Sequence, residues 1–90
     1  FHMVEAMTAA GEAAGLSAEM AQKLARATVV GAGGLLEDSS ESAGTLRENV
    51  TSPGGTTAAA LSVLMAEQGL TELMTRAIDQ ATKRSRELAG

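Results

Sequence analysis

The segment 52–57, with the sequence Ser-Pro-Gly-Gly-Thr-Thr, contains the residues whose types and spacing best suit chemistry. A Ser side chain at a helix N-cap accepts a hydrogen bond from a backbone amide of the first turn, and Pro is favoured at the first helical position. We therefore predict that Ser52 caps a helix that begins at Pro53. The same residue types also suit a sharp turn into a helix without any ligand, and the segment alone leaves both interpretations open.

The predicted helix start would present hydrogen-bond donors to a small anion. Gly54 and Gly55 would occupy the second and third helical positions, where the absence of side chains leaves the backbone amides open. These amides would lie at the positive end of the helix dipole, and Thr56 and Thr57 add hydroxyl groups beside them. The segment 52–57 therefore predicts an anion site.

Two helices are predicted before this segment. The first spans Phe1 to Ala14 and ends in a left-handed cap at Gly15. The second follows an N-cap at Ser17 and runs to about Asp38. Residues three and four apart mark one core-facing stripe on each helix. The stripes contain Met3, Met7, Ala10 and Ala14 in the first helix and Met20, Leu24, Thr28, Gly31 and Leu35 in the second.

The second predicted helix contains a run of small residues, Gly-Ala-Gly-Gly, at 31–34. Each Gly inside a helix costs about 1 kcal/mol relative to Ala, so we expect another helix to pack closely against this run. A phosphate-binding loop is excluded because Leu36 stands where the third glycine of the motif would be, and no strand precedes the run. A break in the helix is the alternative to the close crossing.

Three further helices are predicted after the polar connection 37–42. A short helix spans 43–49, a fourth follows the segment 52–57 and ends at Gly69, and a last helix is capped by Thr71. The predicted buried faces are Ala60, Leu61, Leu64 and Met65 in the fourth helix and Leu73, Met74, Ala77, Ile78, Ala81 and Leu88 in the last. Two i,i+4 ion pairs are expected along the last helix, Glu72 with Arg76 and Asp79 with Lys83.

The composition indicates an all-α, five-helix, bundle-like domain. The 90 residues are rich in Ala, Leu, Met and Glu, and they include one Pro, one Phe and no Trp or Tyr. The net charge of -4 and the single aromatic residue argue against a nucleic-acid partner. There is no Cys, and His2 is the only histidine, so we predict neither a disulfide nor a metal site.

The sequence contains no apolar run of the roughly 20 residues needed to cross a membrane. No signal-peptide pattern opens it either, so we expect a cytoplasmic protein without a membrane partner. A chain of this length supplies only a few kcal/mol of net stability from its own core, which predicts a stabilising partner.

The run 46–57, Leu-Arg-Glu-Asn-Val-Thr-Ser-Pro-Gly-Gly-Thr-Thr, closely resembles the signature of the pyrroline-5-carboxylate reductases, the enzymes that complete proline synthesis. Flanking residues agree with the C-terminal helical domain of that family, so the resemblance covers essentially all 90 residues. The flanks are Glu5-Ala6, Gly15-Leu16, Gly31 to Gly34 before Leu35-Leu36, and Lys83 to Leu88. With no initiator Met, the chain is interpreted as a fragment, residues 1–90, that lacks the family's N-terminal Rossmann domain.

The resemblance implies that the full-length protein is an enzyme that reduces Δ1-pyrroline-5-carboxylate to L-proline with NADPH or NADH. The cofactor would be bound mainly by the N-terminal domain, so we expect no turnover from the isolated chain. In the resembled site, the amides of Gly54, Gly55 and Thr56 hold the substrate carboxylate beside Ser52. Thr57 is the predicted catalytic residue, with its hydroxyl near the imine nitrogen.

Two further site residues follow from the resemblance. Asn49 would face the cofactor. Glu41 matches an acidic substrate-site position in the loop before the short helix, although Ser42 and Ala43 replace a His-Pro pair that is common there. The contribution of this loop is therefore left open.

The resemblance also implies an intertwined homodimer, which the glycine-lined face of the second helix would suit. The alternative function is a non-catalytic helical dimerisation or interaction module, in which Ser52 to Thr57 is only a cap. A related reductase acting on a different imine or carbonyl acid is a third possibility. Binding of L-proline would discriminate the first two hypotheses. The sequence leaves open the preference between NADPH and NADH and any oligomer beyond the dimer.

Overall fold

The computed structural model describes all 90 residues and contains five helices and no strand. The helices are α1 His2–Ala13, α2 Ala18–Asp38, α3 Ala43–Asn49, α4 Thr56–Leu64 and α5 Leu70–Ala89. The all-α, five-helix prediction is therefore confirmed. The chain divides into two compact units, Phe1–Ala43 and Gly44–Gly90, which are described separately.

The first unit is a helical hairpin whose turn is held by backbone hydrogen bonds. Gly15 follows α1 with φ 109°, as predicted for the left-handed cap. Its amide donates to the Glu12 carbonyl at 3.0 Å, and the Leu16 amide donates to the Gly11 carbonyl at 3.0 Å. This pair of bonds is a Schellman motif, which satisfies carbonyls that the helix end would otherwise leave without donors.

The second helix begins and ends as predicted. The Ser17 hydroxyl accepts a hydrogen bond from the Met20 amide at 3.2 Å, and the helix continues to Asp38. The glycine run 31–34 lies inside this continuous helix, so the alternative of a helix break is wrong.

The close approach between α1 and α2 occurs at Gly11. A Cβ built on Gly11 would lie 3.1 Å from the Cβ of Ala21, and Ala21 and Ala25 are the only two buried residues of the chain. By contrast, nothing in the chain lies within 4 Å of a Cβ built at Gly31 or Gly33. The predicted close crossing at the glycine run is therefore wrong for the single chain, because the small residues that face α1 are near the other end of α2.

The predicted core stripe of α2 is also displaced. Ala21, Ala25 and Val29 face α1, whereas Met20 and Leu24 remain almost half exposed. A shift of one residue corresponds to about 100° around a helix, so the large apolar side chains lie beside the contact with α1 instead of in it. On α1 the half-buried residues are Val4, Met7, Thr8 and Gly11, and only Met7 belongs to the predicted stripe.

In the second unit, α4 and α5 begin at positions different from those predicted. The α4 helix starts at Thr56 and ends at Leu64. Gly69 does not end α4 but is the N-cap of α5, and a Cβ at Gly69 would collide with the Leu64 carbonyl. Thr71 lies within α5, where its carbonyl accepts the Thr75 hydroxyl at 2.7 Å, so its predicted capping role is wrong.

The α5 helix carries an apolar face that nothing in the chain covers. Its predicted face contains Leu73, Met74 and Ile78, which are 54%, 51% and 59% exposed, and no residue of the second unit is buried. The predicted buried face of α4 is open as well, with Leu61 half-buried and Met65 exposed.

Ion pairs on α5 are solvent-exposed. Asp79 and Lys83 approach to 3.3 Å, as predicted, while Glu72 and Arg76 do not pair. Arg84 and Glu87 form a further pair at 3.0 Å. Exposed pairs of this kind contribute little to stability. None of the five helices is both long enough and apolar enough to be a membrane-spanning segment.

Candidate functional site

The residues Ser52 to Gly55 form a tight turn. The Gly55 amide donates to the Ser52 carbonyl at 2.9 Å, and Gly54 has φ 73°. Pro at the second position and a positive φ at the third are the features of a type II turn, which glycine accepts without steric cost. Ser52 is therefore not an N-cap, because its carbonyl closes the turn and its hydroxyl caps nothing.

The α4 helix starts three residues later than the sequence suggested. Gly55 is its N-cap, with extended backbone (φ -84°, ψ -178°), and the first bond of the helix runs from the Ala59 amide to the Gly55 carbonyl at 3.1 Å. The amides of Thr56, Thr57 and Ala58 have no acceptor in the chain, as expected for a first turn without a side-chain cap.

This geometry removes one member, Gly55, from the predicted set of amide donors. The Gly55 amide is already bonded to the Ser52 carbonyl, so it cannot donate to a ligand at the same time. The open donors at the start of α4 are instead Thr56, Thr57 and Ala58. Sequence reasoning missed Ala58 because it placed the helix start at Pro53. The glycines shape the turn, and the residues after them supply the amides.

The threonine hydroxyls lie next to these amides. Thr56 is exposed and Thr57 is half-buried, and neither hydroxyl makes a hydrogen bond within the chain. Because the N-terminal end of α4 carries the positive end of the helix dipole, the site favours a negatively charged ligand.

No basic side chain lies in the segment 49–58. The nearest one along the chain, Arg47, lies 3.6 Å from the carboxylate of its neighbour Glu48. An anion bound at this segment would therefore have to be recognised by backbone amides, hydroxyl groups and the helix dipole. No group of three or more His, Cys, Asp or Glu side chains is arranged to hold a metal ion.

Thr51 is a residue of this region that sequence reasoning did not assign. Its hydroxyl donates to the Arg47 carbonyl at 2.6 Å, and its amide donates to the Glu48 carbonyl at 3.1 Å. These bonds tie the residue before the turn to the last turn of α3. A Thr four residues after a carbonyl at a helix end is the sequence signal that could have identified this contact.

The predicted site residues fall in both units. Asn49 is the last residue of α3, and Ser52, Gly54, Gly55, Thr56 and Thr57 follow it in the turn and at the start of α4. Glu41 belongs to the first unit, where its amide donates to the Ser39 hydroxyl at 3.0 Å in the connection before α3. Six of the seven predicted residues therefore belong to one local structure within the second unit.

The first unit contains a groove of about 670 Å³ between α1 and α2. It is lined by apolar side chains, by the polar residues Thr8 and Gln22, and by three charged residues, Glu5, Glu12 and Arg26. The three charged groups carry both signs, and the groove holds no cluster of nucleophilic side chains. The side chains that line the groove therefore do not indicate a catalytic site.

Comparison with known proteins identifies the family to which the chain is similar. The sequence profile of a family described as "Pyrroline-5-carboxylate reductase dimerisation" matches residues 1–88. The chain is 43% identical over 89 residues to pyrroline-5-carboxylate reductase of Pseudomonas aeruginosa and, over the same length, to that of Arabidopsis thaliana. It is 37% identical over 89 residues to pyrroline-5-carboxylate reductase 1 of Bacillus subtilis.

These alignments cover 99% of this chain but only 30% to 32% of the relatives. The chain thus spans about a third of the length of the curated relatives it matches.

Proposed function

The chain belongs to the pyrroline-5-carboxylate reductase dimerisation family, and from that premise we propose that it is the C-terminal dimerisation and substrate-binding domain of such a reductase. The reaction adds a hydride to the imine carbon of Δ1-pyrroline-5-carboxylate and a proton to its nitrogen, which gives L-proline. The single observation that carries the proposal is the set of open donors at the start of α4, in a segment that this family would use for a carboxylate.

The substrate carboxylate is assigned to the amides of Thr56, Thr57 and Ala58. Hydrogen bonds from amides to a charged group contribute about 1.5–3 kcal/mol each, and the helix dipole adds to them. Gly54 and Ser52 shape this site through the turn. Because the segment 49–58 contains no basic side chain, its own contribution to carboxylate binding would involve no ion pair.

Thr57 is assigned the role of orienting the imine. Its hydroxyl is half-buried and unpartnered, so it can accept or donate a hydrogen bond at the substrate nitrogen and assist its protonation. Holding the ring in one orientation is a large part of what the protein must do when a cofactor carries the redox chemistry.

The nicotinamide cofactor supplies the hydride when it is bound. The chain contains no strand and hence no βαβ unit of the kind that binds dinucleotides, so we assign cofactor binding mainly to a part of the protein outside residues 1–90. Asn49 is assigned to the cofactor side of the site. The roles of Asn49 and Glu41, the use of NADPH or NADH and a cytoplasmic location stay predictions.

We also propose that the chain functions as a homodimer whose protomers interleave. Ala21 and Ala25 are the only buried residues, so the chain by itself has almost no core. Exposed apolar faces on α2 and α5, together with open space around Gly31, provide surface for a second copy. Contiguous apolar surface of this kind marks protein interfaces.

The test of the catalytic proposal uses the full-length protein that contains this chain. Oxidation of NADPH or NADH is followed with Δ1-pyrroline-5-carboxylate and, in parallel, with 1-pyrroline, which has the imine but no carboxylate. We expect rapid oxidation with the first substrate and a much lower kcat/KM with the second. Equal rates with both substrates would contradict the carboxylate site. Absence of oxidation with either would favour the alternative, a non-catalytic dimerisation module.

A further inference from the structure

We propose that Thr51 is a positioning residue for the substrate carboxylate, because its hydroxyl fixes the turn that carries the α4 amides to the end of α3. This inference rests on the proposed function of the α4 start. It assigns no contact between Thr51 and the substrate.

The hydrogen bond of the Thr51 hydroxyl lies just beyond the C-terminal end of α3, where the regular backbone bonds of the helix have ended. This hydroxyl is part-buried and donates to the Arg47 carbonyl at 2.6 Å, a short distance for a bond between a hydroxyl and a carbonyl oxygen. The Val50 amide reaches the same carbonyl at only 3.3 Å. The bond from the Thr51 hydroxyl is therefore the stronger of the two bonds to this carbonyl. Together with the bond from the Thr51 amide to the Glu48 carbonyl at 3.1 Å, it anchors the residue before the turn to α3.

The segment between Thr51 and the amides has little freedom to absorb a displacement. Pro53 has a fixed φ, Gly54 holds φ 73°, and the bond from the Gly55 amide to the Ser52 carbonyl closes the turn at 2.9 Å. A Cβ on Gly55 would lie 3.2 Å from that carbonyl, so the turn is also closely packed. A change in how Thr51 is anchored is therefore passed on to the amides of the first turn of α4.

The same type of bond elsewhere in the chain lacks this consequence. The hydroxyl of Thr82 donates to the Ile78 carbonyl at 2.8 Å, but it does so inside α5, where backbone bonds already fix the chain. Loss of the Thr82 hydroxyl should therefore leave KM for the substrate nearly unchanged. Thr82 is a matched control for Thr51, since the two residues make the same i to i−4 contact and are both partly buried.

The experiment compares Thr51→Val, Thr51→Ser and Thr82→Val in the full-length reductase. Valine preserves the size of threonine and removes the hydroxyl, whereas serine keeps the hydroxyl. We expect Thr51→Val to raise KM for Δ1-pyrroline-5-carboxylate about tenfold, with kcat within about twofold of wild type, because the amides that Thr51 positions would hold the carboxylate equally in ground and transition states. Thr51→Ser and Thr82→Val should keep the wild-type KM.

Several outcomes would overturn the inference. A wild-type KM in Thr51→Val would overturn it. A fall in kcat that accompanies a loss of helicity, with KM unchanged, would also overturn it, because that pattern is expected of a residue that only caps a helix. If Thr51→Val does not fold and assemble, the KM of Thr51→Ser provides the test. A raised KM in this variant, which keeps the hydroxyl, would show that the hydroxyl does not position the substrate carboxylate. An inactive wild type would remove the proposed function as well, whereas an active wild type with an unaffected Thr51→Val removes this inference alone.

Discussion

At the scale of single residues, the proposed carboxylate site would bind its ligand through backbone amides that a small number of side chains keep in place. The turn from Ser52 to Gly55 uses one amide for itself and leaves the next three open. The threonine at the second helical position then brings a hydroxyl to the same end of α4. In the proposed site, a carboxylate would meet donors whose positions the backbone has already fixed, and this would lower the entropic cost of binding.

Removal of the Thr57 hydroxyl tests its assigned role. In the full-length reductase, Thr57→Ala should lower kcat by about 100-fold, because a group that assists proton transfer typically contributes at least that factor. Thr57→Ser keeps the hydroxyl and should retain most of the activity. Steady-state kinetics of both variants provide the measurement. Equal kcat values for Thr57→Ala and wild type would show that the hydroxyl takes no part in the reaction.

The positive φ of Gly54 gives a second prediction at this scale. An alanine there is strained by roughly 1–2 kcal/mol although nothing within 4 Å would touch its Cβ, so the cost comes from the backbone alone. We expect Gly54→Ala to loosen the turn and raise KM for the substrate. Gly33→Ala, at a helical glycine in open space, is the control and should leave KM unchanged. The prediction fails if both variants give the wild-type KM.

At the scale of secondary-structure elements, the caps of the first unit were predicted correctly, whereas the caps at Ser52, Gly69 and Thr71 and the helix faces were not. Ser17 and Gly15 act within a few residues of themselves, so their roles could be read from the sequence. The start of α4 was misjudged because Ser-Pro suits both an N-cap followed by a first helical position and the first half of a type II turn. The φ of 73° at Gly54, which depends on the folded backbone, distinguishes the two.

The buried face of a helix is harder to predict because it depends on which other element packs against that helix. The large apolar side chains of α2 mark a stripe at helical spacing, yet the contact with α1 is made by alanines one residue farther along. Contact between Gly11 and Ala21 brings the two backbones together and leaves the larger residues beside the contact. No spacing rule distinguishes a stripe that packs within the chain from one that packs against a second copy.

The exposed stripe of α2 gives a prediction about the proposed dimer. Gly31 lies on this stripe, whereas Gly33 lies about 200° farther around the helix, and both have open space in the single chain. We expect Gly31→Leu to weaken dimer formation by obstructing a close helix approach, while Gly33→Leu leaves it nearly unchanged. Sedimentation equilibrium of the two variants, with circular dichroism to verify helicity, provides the comparison. Dimers of equal affinity would count against an interface on this stripe.

At the scale of the whole molecule, the chain has five well-formed helices and almost no interior. Its two buried residues are both alanines, which contribute little apolar area. Helices of 7 to 21 residues are at best marginal in water without tertiary packing. The proposed dimer would supply the missing burial, so folding and association should occur together.

Coupled folding and association predict a thermal midpoint that depends on protein concentration. For the 90-residue chain, each tenfold dilution should lower the midpoint by a few °C, because mass action stabilises only the associated state. Circular dichroism melts over a hundredfold range of concentration provide the measurement. A midpoint independent of concentration, together with a mass of 9.1 kDa in sedimentation, would indicate a stable monomer instead.

The most direct test of the carboxylate site is an NMR titration of the ¹⁵N-labelled full-length protein with L-proline, and with pyrrolidine as the ligand without a carboxylate. We predict that L-proline shifts the amide resonances of Thr56, Thr57 and Ala58 more than any others in residues 1–90, and that pyrrolidine leaves them in place. The Gly55 amide, which is already bonded to Ser52, should move less. Saturable binding of L-proline that leaves the three amides unshifted would contradict the assignment of the carboxylate to the start of α4.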